Sequence, residues 1–286
     1  MKIRIGTRTS PLAMAQTYMY QKALKAAFPD AETEIVRFTT KGDKILSKPL
    51  DKIGGKGVFV GEIEDALCKG EIDAAVHSAK DLPAELADGL EISGVLPRGN
   101  YRDMLITPKG RHFSADEIFT VGTGSQRRQI NFSKIYPKAV FSGIRGNVDT
   151  RLRKLESGEY DGIILCAAGI ERLGISLDGF ETEIYDYDRF LPAPCQGIIA
   201  IECAVGSKAA ELTAEISDRN TMLSFEAERE AVRLLGADCT VPVGVFSEVR
   251  DDDIFVRVSD RCVKYTEGRA AVKDRLKLVK ELTAKL

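Results

Sequence analysis

The sequence predicts an α/β protein: two strand–helix–strand domains followed by a smaller α+β unit. Short apolar runs alternate with stretches of helical length from residue 3 to about residue 216. That is the pattern of a mainly parallel sheet covered by helices. Clusters of Arg, Ser, Thr, Lys and Asp follow several of the strand candidates, at the end where open α/β sheets hold ligands. From Met222 the pattern changes to a helix, two adjoining strands and a terminal helix. A chain of 286 residues with 44% hydrophobic side chains has room for two or three such cores.

Residues 3–6 read as the first strand. Ser10 supplies an N-cap and Pro11 a favoured first helical residue, so a helix starts there and runs to about Phe28. A strand over 34–40 leads into a loop, 41–57, carrying Lys41, Lys44, Lys48, Lys52 and Lys56 among glycines. A helix over 58–69, a strand over 73–79 and another near 91–96 complete the first domain. Residues 97–103 read as a crossover. Strands over 104–107 and 119–122 follow, then a helix capped by Ser125 and running to about Tyr136. A strand over 139–142, a helix over 147–156 and a very apolar strand over 162–167 come next. Leu191-Pro192-Ala193-Pro194 breaks the pattern before a strand over 198–203 and a helix over 208–216. The last unit has a helix over 222–235, strands over 241–249 and 254–259 with Asp251-Asp252-Asp253 between them, and a helix over 271–286.

Net charge is −2, so no global field favours nucleic acid or an anionic membrane. No apolar run approaches the ~20 residues of a membrane span. The start, Met1-Lys2-Ile3-Arg4-Ile5-Gly6, has no signal-peptide pattern, which gives a cytoplasmic expectation. The six cysteines form no C-x-x-C pair and the chain has two histidines, so no metal site is expected. Cys166 and Cys203 read as small core residues, and His77 as a hydrogen-bonded structural histidine at a strand end.

Four clusters carry chemistry. In Val76-His77-Ser78-Ala79-Lys80-Asp81-Leu82-Pro83 a strand ends in polar groups, and an Asp beside a Lys in such a crevice is a candidate acid/base with a tunable pKa. Thr7-Arg8-Thr9-Ser10 places an arginine at a helix N-terminus, a ready anion site. Gly122-Thr123-Gly124-Ser125-Gln126-Arg127-Arg128 brings glycines, hydroxyls and guanidiniums to another helix start without the spacing of a Walker or dinucleotide motif. Gly143-Ile144-Arg145-Gly146-Asn147-Val148-Asp149-Thr150-Arg151 repeats the theme, so four arginines on two strand-to-helix turns point to a polyanionic ligand. Cys239 sits at a polar helix-to-strand turn, where a thiol can serve either as an attachment nucleophile or as an inert loop residue.

Together with Gly54-Gly55-Lys56-Gly57-Val58-Phe59 and Pro192-Ala193-Pro194-Cys195-Gln196-Gly197, these motifs resemble the porphobilinogen deaminase (hydroxymethylbilane synthase) family over nearly the whole chain. The resemblance implies two type II periplasmic-binding-protein-like domains plus a small α+β C-terminal domain. Domain 1 is then 1–99 and 198–219, domain 2 is 100–197, and domain 3 is 220–286. It implies a dipyrromethane cofactor joined by a thioether to Cys239, onto which four porphobilinogen molecules condense with loss of ammonia before water releases the linear tetrapyrrole. Asp81 matches the catalytic carboxylate, which the resemblance implies assists loss of ammonia, stabilises the cationic pyrrole and then handles the proton lost after carbon–carbon coupling. Lys80, Ser78, Thr123, Ser125, Arg127, Arg128 and Gly169 match cofactor-binding positions. Arg8, Ser10, Arg145, Arg151, Phe59 and Gln196 match substrate-binding positions, and the 41–57 loop looks like a mobile lid. The expected protein is a monomer without nucleic-acid or membrane partners. Two departures stand out: Ala237-Asp238 where the family usually has Gly-Gly, and a shorter C-terminal domain. The rival classes are a non-catalytic two-lobed binding protein for a small polyanion, and a phosphate or nucleic-acid binder. The second lacks aromatic platforms and a net basic charge.

Overall fold

The computed structural model describes residues 2–40, 60–237 and 241–286. Expectations that fall on the 41–57 loop, on Phe59 and on Cys239 therefore lie outside the described residues. The chain runs β1 (Lys2–Arg8), α1 (Pro11–Ala27), β2 (Glu32–Phe38), α2 (Gly61–Cys68), β3 (Ala74–Ser78) and β4 (Leu90–Val95). It continues as β5 (Asp103–Pro108), β6 (Thr120–Gly122), α3 (Gln126–Ser133), β7 (Val140–Ser142), α4 (Val148–Glu156), β8 (Gly162–Cys166), α5 (Ala167–Leu173) and β9 (Phe180–Tyr185). Then come β10 (Ile199–Ala204), α6 (Lys208–Glu215), α7 (Arg219–Leu234), β11 (Gly244–Arg250), β12 (Asp253–Asp260), β13 (Lys264–Ala271) and α8 (Arg275–Thr283).

Two compact units emerge: Met1–Gly99 with Ile198–Glu226, and Asn100–Gly197 with Ala227–Leu286. The first holds a five-stranded sheet in the order β2-β1-β3-β10-β4. The second holds a five-stranded sheet in the order β7-β6-β8-β5-β9 and a three-stranded sheet β11-β12-β13. The two larger sheets share one plan. β1 is parallel to β2 and β3, and β6 is parallel to β7 and β8. The fourth position of each sheet is a reversed strand, β10 in one and β5 in the other, antiparallel to both neighbours. The mainly parallel expectation holds, with one reversal per sheet. β5 and β10 enter from irregular connections and not from a helical crossover, so no right-handed βαβ rule fixes their direction. This pair of mixed sheets with a small α+β layer is the fold class the sequence predicted.

Local chemistry explains the helix starts. The Ser10 hydroxyl accepts the Ala13 N–H at 3.2 Å with Pro11 in the first turn, and Ser125 accepts from Arg128 N–H at 3.4 Å. Apolar faces explain the packing. Ile3, Ile5, Ala74, Val76, Ile199 and Ile201 of the first sheet bury against Tyr20 and Leu24 of α1 and Leu212 of α6. Inside that core the Tyr20 and Thr213 hydroxyls meet at 2.6 Å, joining α1 to α6, and burial pushes the Tyr20 phenol far above its usual range. The small sheet packs Val245, Val256 and Val258 on Ala231 of α7 and Val279 of α8.

Three elements escaped the sequence pattern. The expected hairpin of the last unit is a three-stranded meander, because β13 pairs along its whole length with β12, and α8 begins only at Arg275. β13 and β9 are sheet-edge strands: KYTEGRAA has no apolar face to reveal it, whereas FETEIY alternates Phe180, Thr182 and Ile184 with Glu181 and Glu183, a signal the sequence reading missed. α5 has seven residues, too few for a helical period to register.

Candidate active site

In the first unit β3 ends at Ser78 and the chain makes one 3₁₀ turn, Ala79–Asp81, before the extended Leu82 and then Pro83. Ala79 is buried and its N–H donates to the Ile198 carbonyl at 3.0 Å. The turn therefore leaves Lys80 exposed and Asp81 half-buried. Asp81 lines a pocket with Arg8 and Ser10 from the β1–α1 turn, Gln16 of α1, Val60 before α2, and His77 and Ser78 of β3. The predicted Arg8, Ser10, Ser78 and Asp81 thus meet in one concavity. Gln16 fixes the Ser78 hydroxyl with two contacts, its amide nitrogen donating at 2.9 Å and its oxygen accepting at 3.2 Å.

In the second unit, the arginines of α3 and α4 gather on the carboxyl ends of β6, β7 and β8. Arg127 and Arg128 are both buried and share one carboxylate, the fully buried Asp103 of β5, at 2.8 and 2.7 Å. Arg127 also donates to the Leu191 carbonyl at 2.8 Å and Arg128 to the Ile164 carbonyl at 2.9 Å. Two cations on one anion leave a net positive charge, an excess over the pairing that buried charge ordinarily requires. Arg151 lies on α4 and donates from Nε to the Gly146 carbonyl at 2.8 Å. Gly146 has φ +111°, and a Cβ there would meet Thr150 at 2.7 Å, so the turn carrying Arg145 and capping α4 requires glycine. Burial, then the charges of Arg128 and Arg145, push the Arg151 guanidinium down to about 10. A group held below its usual value by burial and neighbouring cations gains most from an anion.

The other predicted positions divide. Thr123 is buried, and its hydroxyl accepts from Ser125 N–H at 3.2 Å, joining the two hydroxyl residues in one turn. Gly169 lies within α5. Gln196 is buried and donates its amide to the Tyr101 carbonyl at 2.7 Å. Cys195 beside it has φ +59°, and its N–H donates to the buried Glu228 at 2.5 Å. Cys203 is a core residue as expected, with its thiol pushed up to about 11 by burial. Cys166 is corrected: it is half-buried at the β8–α5 junction, because the apolar strand ends there.

The sequence reading missed Asp103, Gln16 and Glu202. Asp103 and Glu202 could have been found as single acids in otherwise apolar strands, DMLITP and IAIECA, since a buried carboxylate must meet a cation or donors. Gln16 shows no such signal inside an amphipathic helix.

The family model described as "Porphobilinogen deaminase, dipyromethane cofactor binding domain" matches residues 3–211. The chain is 42% identical over 255 residues to the porphobilinogen deaminase of Roseiflexus sp. (strain RS-1), covering 88% of this chain and 84% of that protein. It is 43% identical over 256 residues to that of Lachnospira eligens, covering 88% and 86%. Among solved structures, the VFT2 domain of Bordetella pertussis BvgS is 14% identical with a TM-score of 0.45, covering 75% of this chain and 86% of that one, too remote to bear on function. Similarity of this extent to curated enzymes leaves the non-catalytic alternative without support, and the chain belongs to the porphobilinogen deaminase family.

Proposed function

We propose a division of labour among this chain's residues for the reaction of its family: stepwise condensation of four porphobilinogen molecules with loss of ammonia, then hydrolytic release of hydroxymethylbilane. Asp81 is the catalytic carboxylate. It holds the aminomethyl ammonium of porphobilinogen, assists departure of ammonia and faces the cationic pyrrole left behind. The half-buried position of Asp81 in a pocket that also holds Arg8, Ser10, Gln16 and Ser78 supports this reading. A charge pair about 4 Å apart is worth about 4 kcal/mol at an effective dielectric of about 20, against about 1 kcal/mol in water, so the partial burial sets the size of the effect.

Arg8, Ser10, Arg145, Arg151, Phe59 and Gln196 bind substrate. Lys80, Ser78, Thr123, Ser125, Arg127, Arg128 and Gly169 bind the dipyrromethane, which Cys239 carries through a thioether. The net positive arginine group around Arg151 fits a ligand whose pyrroles bear acetate and propionate arms. When bound, the cofactor supplies the primer to which the first unit is joined. The chain's own donors orient carboxylates and keep the reacting carbon beside Asp81. The three-domain division at 1–99 with 198–219, 100–197 and 220–286 belongs to the same reading, as do a monomeric state, a cytoplasmic location and no nucleic-acid partner. No described helix is long and apolar enough to cross a membrane.

The test is steady-state ammonia release from porphobilinogen. Asp81→Asn lowers turnover by about 10²–10⁴-fold, the usual range for a positioned acid/base, with an unchanged melting temperature. Near-normal release by the variant removes Asp81 from the chemistry.

A further inference from the structure

The pocket of Asp81 is lined by a second titratable side chain. His77 lines the same pocket, on the strand that leads into the Asp81 turn. Its Nε2 lies 3.0 Å from Oε2 of Glu202, with 6% of the imidazole side chain and none of the carboxylate side chain exposed. β10 pairs antiparallel with β3, with Ala200 opposite His77 and Glu202 opposite Ala75, so both side chains occupy one face of the sheet. That face is covered by α2, whose Glu64 also bears on the pair. Oε1 of Glu202 and Oε1 of Glu64 are buried without a hydrogen-bond partner among the described residues. Asp81 and Arg8 are the other charged groups lining the pocket.

A carboxylate behind an imidazole selects its tautomer: Nε2 carries the proton toward Glu202, and Nδ1 is left as the acceptor. The reaction needs such an acceptor. Each addition forms a bond between the incoming methylene carbon and the α-carbon of the terminal pyrrole, then breaks the C–H bond there. The electron pair returns to the ring and the proton must go to a base. From the second addition on, that terminal pyrrole is itself a former porphobilinogen.

We propose that Nδ1 of His77, oriented by Glu202, takes the proton released at carbon–carbon coupling, leaving Asp81 to manage departure of the amine. The inference rests on the assigned reaction and splits its two proton transfers between two side chains. The imidazolium then returns its proton to solvent or to the released ammonia.

The chain has two histidines, so nitrogen-15 NMR of the holoenzyme resolves His77 from His112. The neutral His77 ring is expected as a single Nε2–H tautomer in the wild type and as a tautomer mixture in Glu202→Gln. The kinetic arm uses porphobilinogen deuterated at its free α-carbon, whose deuterium is lost when the next unit is joined. His77→Gln lowers kcat about 10²-fold and unmasks a primary isotope effect that the wild type does not show. Glu202→Gln, which retains the ring, gives the same isotope effect with a smaller loss and serves if His77→Gln does not fold. A wild-type rate in His77→Gln, or a slowed variant with no isotope effect, overturns the proposal. So does a wild-type His77 that is not the Nε2–H tautomer. Absence of turnover in the wild type instead overturns the assigned reaction.

Discussion

At the scale of single residues, charge in partial burial decides most of what this chain does. Glu64 shows it in stability. Burial, then the charge of Glu202, hold its carboxyl above the usual carboxylate range, against the Ala87 backbone N–H and His77. A raised carboxyl pKa in the folded state favours folding below the unfolded value, and that advantage is lost as pH rises through the folded value. Glu64→Gln therefore melts higher than the wild type at pH 8. The difference shrinks toward zero as pH falls toward about 4, the unfolded carboxylate value; a pH-independent difference contradicts this account. Arg151 shows the same physics in binding. Removing it by Arg151→Ala deletes a charge-assisted contact worth about 1.5–3 kcal/mol, a factor of about 10–150 in affinity. Native mass spectrometry of freshly expressed variant then shows cofactor-free protein or stalled partial chains. Full loading and normal elongation would place the polyanion elsewhere.

At the scale of elements, β5 and α3 are joined through one carboxylate. Asp103 neutralises one of two buried guanidiniums, and its loss leaves both Arg127 and Arg128 without their anion. Breaking a buried pair from one side costs about 3–5 kcal/mol, so Asp103→Asn lowers the denaturation free energy of the second unit by about that amount. Urea unfolding measures it; a change under about 1 kcal/mol would mean the arginines find other partners. Elements with an apolar face were legible in the sequence: α1 with its Ser10 cap, the strand before Asp81, and the strand ending at Cys166. β13 was not, because its mixed polar side chains carry no period-two contrast, and β9 was missed although Phe180, Thr182 and Ile184 alternate with two glutamates. The reversal of β5 and β10 was also hidden, since strand direction depends on where a connection enters and not on the residues of the strand.

At the scale of the whole molecule, the site was legible as motifs before it was legible as geometry. Arg8, Ser10, Ser78 and Asp81 lie far apart in sequence as β1–α1 and β3 turns, and they converge because β1 and β3 are neighbours in the sheet. The arginines of α3 and α4 converge likewise because β6 and β7 are neighbours. The sequence could not show that Arg127 and Arg128 are already paired, because Asp103 approaches them from β5, 24 and 25 residues away. Covalent attachment is the feature that separates this enzyme from any reversible binder built on the same sheets. Its direct measurement is the intact mass of the purified protein followed by peptide mapping. The account predicts a mass increase equal to one dipyrromethane, confined to the peptide containing Cys239 and absent from Cys239→Ala. The cofactor-free variant is also inactive and melts at a lower temperature, since a group bound only by the folded state no longer stabilises it. An unmodified active protein, or an adduct on Cys68 or Cys195, would contradict it.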